Sequence, residues 1–134
     1  MDANMGQQRI GESTMKPLHH AAISVKKHGG TVEDYMPIHN FFDTSKSCMA
    51  DVRHRAILHS SFGIFIVERV FGDYITNSDG KRVSVRDIAE DHVIQDMGDI
   101  PSMEKWLKNL PIEDWMCGPG HAKTKKIKHI SFAD

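Results

Sequence analysis

HNFFDTSKSCMADVRHRAILH, residues 39–59, sets three histidines and two aspartates among Phe, Met, Ile, Leu and Val. How this stretch folds decides the architecture. His39 and Asp43 are four apart, so a helix carries both on one face, beside Phe42. The apolar spacing predicts another helix from about Ala50 to Phe71, closed by Gly72. Leu58, Phe62, Phe65, Ile66 and Val70 form its broad core face. On that helix Asp51 and His54 flank the direction of Leu58 and Phe65, and His59 points between Ile66 and Val70. Helical segments joined by a few residues pack antiparallel. His39/Asp43 and His54/His59 would then share one interior.

Moving toward the N-terminus, Thr31 and Asp34 have the spacing of a capping box, so a helix begins near Val32, with Pro37 kinking or restarting it. Ile38, Phe41, Phe42, Ser45 and Met49 continue its period. Before it, KPLHHAAISVKKH reads as a helix with Pro17 early and Gly29-Gly30 as its stop. Leu18, Ala21, Ala22 and Val25 are its expected apolar stripe. Residues 1–14 read as a flexible leader without the apolar core of a secretory signal.

Toward the C-terminus the period changes. Tyr74-Ile75-Thr76, an Asn-Ser-Asp-Gly turn, and Val83 and Val85 alternating with polar residues signal a short β-hairpin. VRDIAEDHVIQDMG returns to helical spacing through Val85, Ile88, Val93 and Met97, with Ser84 or Ser78 as cap and Gly98 as stop. SMEKWLKNL follows, with Met103, Trp106, Leu107 and Leu110 on one side and Pro111 ending it. Trp106 and Trp115 are expected to pack in core and terminal contacts. An exposed Trp115-Met116 would instead indicate an oligomer or partner surface. The expected fold is mainly α: a compact helical domain over 15–117 with one short hairpin, then a basic flexible tail over 118–134.

Composition bounds the function. At 134 residues with a formal net charge of -1, the chain carries no overall pull toward nucleic acid or an anionic membrane. Only the run Lys123, Lys125, Lys126 and Lys128 offers a nucleic-acid or acidic-protein contact, and a disordered, solvated tail is the preferred reading of it. FGIFIVERVFG, residues 62–72, is too short to span a bilayer and is broken by Glu68 and Arg69. Cys48 and Cys117 are far apart and form no C-x-x-C pair, which suits two unpaired thiols in a reducing cytoplasm. The hairpin has neither a phosphate-loop motif nor the ligand series of a calcium loop.

The nine histidines are the feature left over. A neutral imidazole donates a lone pair, a carboxylate offsets cation charge, and a further carboxylate orients the ring. His39, Asp43, His54 and His59 form the candidate ligand set, joined by His20 from the first helix and His92 from the later one. Asp96 lies four residues beyond His92 on the same face. Of the His19-His20 doublet only one ring can point inward, and His20 is the choice. Without cysteine, the set suits zinc, iron or manganese. Arg53 and Arg55 are candidates to hold a substrate phosphate. They also offer a metal-free alternative, because an Asp51–Arg55 pair at i,i+4 and a polar seam account for the same residues. His28, His121 and His129 read as solvent-facing.

HHAAISVKKHGGTVEDYMPIHNFFDTSK, ADVRHRAILHSSFGIFIVERVFG and ITNSDGKRVSVRDIAEDHVIQDMGDIP together resemble a small bacterial and phage family of uncharacterised domains. The resemblance covers about Met15 to Met116. It implies a shared domain and a prokaryotic or viral intracellular setting, and no reaction. Three functions remain to be weighed. One is a metal-dependent hydrolase of a phosphorylated small molecule. Another is a non-catalytic binder of a host component. The last is a homo-oligomeric module whose histidine seam stabilises an interface.

Overall fold

The computed structural model describes residues 15–120; the leader and most of the basic tail lie outside them, as do His121 and His129. Five α-helices and one two-stranded antiparallel sheet make up the described chain. Helix α1, Pro17–His28, begins on proline, whose missing amide hydrogen is no loss at a helix start. Its Gly29 cap has φ 85, a backbone angle that favours glycine. Helix α2, Val32–Asp43, opens at Thr31, whose amide donates to the Asp34 carboxylate at 2.7 Å. Pro37 lies inside α2 without ending it.

The expected continuous helix from Ala50 to Phe71 does not form. Residues Thr44–Ser47 and Val52–Ala56 make 3-10 turns, and helix α3 begins only at Ser61 and runs to Phe71. The break has a local cause. The Ser60 hydroxyl accepts the Gly63 amide at 2.9 Å, which caps a new helix. The chain doubles back there so tightly that a side chain at Gly63 would collide with the Leu58 carbonyl. Because α3 restarts, its phase differs from the expected one. Gly63, Ile64 and Val67 face inward, while Phe62 and Phe65 are 50% and 47% exposed and Val70 is exposed as well. Only Leu58 of the expected face is in the core, with Ile66 half-buried against it. Met49 lies beyond the end of α2 and is also exposed.

Strands β1 (Tyr74–Thr76) and β2 (Arg82–Ser84) pair with Ile75 opposite Val83, as the hairpin signal predicts. Helix α4, Val85–Met97, has the predicted limits, with the Ser84 hydroxyl accepting the Asp87 amide and left-handed Gly98 ending it. Helix α5 is shorter than expected, Met103–Leu107, and leaves Leu107 and Leu110 exposed. A last 3-10 turn covers Asp114–Cys117. Its Trp115 is 75% exposed, which corrects the expected terminal packing. No helix of the described residues is long and apolar enough to cross a membrane.

α1 packs on α2 and α3 on α4, and α4 also meets α1 and α2. Tyr35, Ile38, Phe42, Val67, Val85, Ile88 and Val93 fill the space between them. The stripe of α1 keeps Ala21 and Val25 against the core and His20 inside, as expected, but Leu18 and Ala22 are exposed and Ser24 is buried in their place. A face with two polar residues turns inward only if the interior supplies partners.

Candidate metal centre

Those partners come from three other segments. Helix α1 contributes His20 and Ser24, α2 contributes His39 and Asp43, the turn before α3 contributes His59, and α4 contributes His92, Gln95 and Asp96. In α1, α2 and α4 the two outer residues are four apart, so each helix directs a pair from one face. His20, His39, His59 and His92 are all at most 1% exposed.

Asp96 is the hub. Its side chain is 4% exposed. One carboxylate oxygen, Oδ1, lies 3.1 Å from His20 Nε2. The other, Oδ2, lies 2.9 Å from His59 Nε2 and 3.2 Å from His92 Nε2. The other nitrogens of two of these rings have partners of their own. His20 Nδ1 is 2.6 Å from Gln95 Oε1, and His92 Nδ1 is 2.9 Å from His39 Nδ1. His39 Nε2 in turn lies 2.9 Å from the Ser24 hydroxyl. The His92 ring stacks on Phe42 at 4.2 Å and on His20 at 3.8 Å. Behind His59, the Trp106 indole N–H donates to the His59 carbonyl at 2.8 Å.

Two buried ring nitrogens make no hydrogen bond in this cluster. His92 Nε2 is close to Asp96 Oδ2 but not aligned to donate to it, and His59 Nδ1 has no partner. Burial disfavours a charged ring, so it holds His39 down to about 2 and His92 down to about 4. Both are neutral at neutral pH. Burial pushes the Asp96 carboxyl the other way, yet His20, His59 and His92 together outweigh it and hold Asp96 well below the usual carboxylate range. The centre is thus one buried anion facing imidazole nitrogens.

Two sets of side chains here have ligand atoms close enough to share an ion, all within 4.8 Å of one another: His20, His39 and His92, and Asp43, His59 and His92. Ligands bonded at about 2.0–2.1 Å stand about 3.3–3.4 Å apart around a tetrahedral ion and about 2.9 Å apart around an octahedral one. The three distances from Asp96 to imidazole nitrogens, 2.9–3.2 Å, fall in that interval and equally in the range of an imidazole–carboxylate hydrogen bond, which two of them are.

A small cleft with room for about one water molecule touches Asp96. It is lined by Asp43, Lys46, Val52, His54 and Arg55, with Met15 at its edge. His54 is buried, and its Nδ1 is 2.9 Å from the Ser45 hydroxyl, which itself donates to the His54 carbonyl. That hydroxyl has given its only hydrogen away, so it accepts from Nδ1–H and leaves the His54 Nε2 lone pair free. Burial lowers the pKa of this ring too.

A family model described as "Domain of unknown function (DUF6915)" matches residues 15–116. The chain belongs to the DUF6915 family. The match spans the described domain almost to its end, and every residue of the histidine cluster falls inside it. No curated protein and no solved structure matches the chain.

Within this DUF6915 domain, four of the residues expected from sequence, His20, His39, His59 and His92, meet at one point. Asp43 stands beside them, its side chain 20% exposed and 3.9 Å from Lys46. His54 sits one ring further out, 6.0 Å from His59 between ring centres. Arg55 lines the cleft and approaches Met97 Sδ at 3.7 Å. Arg53 lies on the surface. It holds Asp51 at 2.7 Å, so the ion pair expected between Asp51 and Arg55 forms with Arg53 instead, because a 3-10 turn brings i+2 rather than i+4 to the cap. His28 is half-buried with its Nε2 enclosed, not solvent-facing. The hub role of Asp96 and the parts played by Ser24 and Gln95 were not read from sequence. Spacing held a clue to the first, since Asp96 follows His92 by four.

Proposed function

We propose that this domain binds one divalent metal ion at Asp96 through the Nε2 atoms of His20, His59 and His92. The observation that carries this reading is the convergence of three imidazole nitrogens on the two oxygens of one buried carboxylate. A divalent cation placed among these groups would draw on the Asp96 carboxylate for charge and on imidazole lone pairs for ligation. Gln95 behind His20 and His39 behind His92 are the outer partners that ligating imidazoles characteristically have. Nitrogen and oxygen ligands without sulfur favour zinc, iron or manganese.

The finer reading is a hydrolase of a phosphorylated small molecule. A water on the ion would lose a proton near neutral pH. Its oxygen would bond to phosphorus as the ester P–O bond breaks, with the proton passed through Asp43 or His54 to the leaving oxygen. Arg55 and Lys46 at the cleft suit the phosphate charge, and Arg53 stands outside it. Such work fits a cytoplasmic protein with reduced thiols.

Metal analysis of untagged protein tests the first step. One equivalent is expected, lost in Asp96→Asn and His20→Ala while the helical signal persists. Metal-free protein whose stability is indifferent to chelator would sink the proposal. If the ion is present, phosphomonoesterase assays with and without Arg55→Ala test the second step.

A second reading, a binding or oligomer surface, rests on a separate observation: Ile112 and Trp115 are 84% and 75% exposed, with Leu110 and Met116 nearby in sequence and also exposed. A size measurement of the wild type and Trp115→Ala addresses it. An unchanged monomer would remove the homo-oligomer.

A further inference from the structure

The hydrogen bonds behind the centre form one directed chain, Ser24–His39–His92, whose direction can be worked out from the donors available. The Ser24 hydroxyl touches two acceptor-capable atoms, the His20 carbonyl oxygen at 3.2 Å and His39 Nε2 at 2.9 Å. It has one hydrogen. The carbonyl can only accept, so that contact is a bond only if the hydroxyl donates to it, four residues back along its own helix. Ser24 then accepts the N–H of His39 Nε2. A neutral ring carries one N–H, so His39 Nδ1 is bare and accepts from His92 Nδ1–H across the 2.9 Å contact. His92 is then bare at Nε2.

The opposite direction would leave two defects. Ser24 would give up its bond to the carbonyl. His92 would carry an Nε2–H that, although 3.2 Å from Asp96 Oδ2, has no aligned acceptor, a buried orphan donor at a ring with no exposure. Only the first direction gives every N–H and O–H in the chain a well-aligned acceptor.

We propose that Ser24, acting through His39, fixes the tautomer of His92, so that its Nε2 lone pair faces Asp96. His39 is thereby a positioning residue rather than a ligand. This sharpens the choice left by the grouping of His20, His39 and His92 as one ligand-capable set. It also explains why α1 buries a serine opposite a histidine. The consequence for metal affinity rests on the metal centre proposed above; the tautomer assignment itself does not.

The test therefore has two arms. In the first, long-range ¹H–¹⁵N correlation spectra of metal-free protein read which ring nitrogen carries hydrogen. The expected result is His39 protonated at Nε2 and His92 at Nδ1 in the wild type. In Ser24→Ala the preference is expected to be lost and the reversed pair to appear beside the original one, since His39 Nε2–H loses its acceptor. An Nε2–H on His92 in the wild type, or no change in Ser24→Ala, overturns the proposal. In the second arm, metal titration compares His39→Leu, His39→Gln and Ser24→Ala. Loss of an outer partner typically weakens affinity about 10–100-fold. That loss is expected for His39→Leu and Ser24→Ala with one equivalent still bound, and His39→Gln, whose amide oxygen can accept the His92 N–H, is expected to recover most of it. Undiminished affinity in folded His39→Leu overturns the positioning role. So does a cobalt-substituted visible spectrum in that variant showing one ligand fewer. Wild type that binds no metal defeats the metal centre, and the spectra of the first arm still decide the tautomer.

Discussion

The indole N–H of Trp106 donates to the main-chain carbonyl of His59 at 2.8 Å, so helix α5 holds the turn that carries one ring of the histidine cluster. The turn needs such a hold, because His59 belongs to no helix and its ring Nδ1 has no partner. Trp106→Phe keeps the aromatic bulk and deletes the donor. A stability loss of about 1 kcal/mol is expected in urea unfolding, with weaker metal retention than the wild type. Equal midpoints for the two proteins would show that the bond contributes nothing.

Asp96→Asn should remove the ion while Asp91→Asn, five residues earlier on α4, should not. Asp91 pairs with Lys27 at 2.8 Å on the surface, whereas Asp96 meets three imidazoles. Exposed pairs of the first kind contribute about 0–1 kcal/mol. Metal content after extensive dialysis distinguishes the two variants.

Acid should destabilise the chelator-treated protein at higher pH than ordinary carboxylates would explain. In the fold, burial holds His92 to about 4 and His39 to about 2, both below the 6.5 of a free ring. Between about pH 6.5 and 4 the unfolded chain therefore binds protons that the folded one excludes, so the free energy of unfolding falls as pH falls. Urea midpoints measured at steps across that interval should decline. A flat profile down to about pH 4 would contradict the burial of neutral rings.

Gly63→Ala should be costly and Ser60→Ala mild. The methyl group at position 63 meets the Leu58 carbonyl, which belongs to the backbone and cannot swing aside. A loss of about 1–3 kcal/mol is expected there. Removing the Ser60 hydroxyl deletes one cap bond, worth about 1 kcal/mol. Thermal melts of both variants rank the two effects.

Which of these features the sequence reveals depends on the range of their causes. The limits of α1, α2 and α4 and the hairpin follow from Pro17, the Thr31–Asp34 box, Ser84, Gly98 and the Asn-Ser-Asp-Gly turn, all of which act within a few residues. The start of α3 was missed because apolar spacing runs unbroken across Leu58 to Phe65, and the break lies in a backbone contact between Leu58 and Gly63. His20 was chosen from its doublet and does point inward, but the burial of Ser24 was missed because it depends on His39, which lies 15 residues further along the chain. The four meeting histidines were legible as a group. Their common hub was not, since an aspartate at i+4 on a helix face is ordinary until three rings are seen around it.

The turn of the β-hairpin is stitched to the α1–α2 link: Asn77 donates to the His28 carbonyl, Asp79 accepts the Gly30 amide, and Asp34 accepts the Ser78 amide. The segment between α3 and α4 is thereby fastened to the far end of the first two helices. Opening α1 would have to release the hairpin as well, and with it the start of α4. Slow amide protons in these elements should therefore exchange for deuterium as one cooperative unit instead of helix by helix.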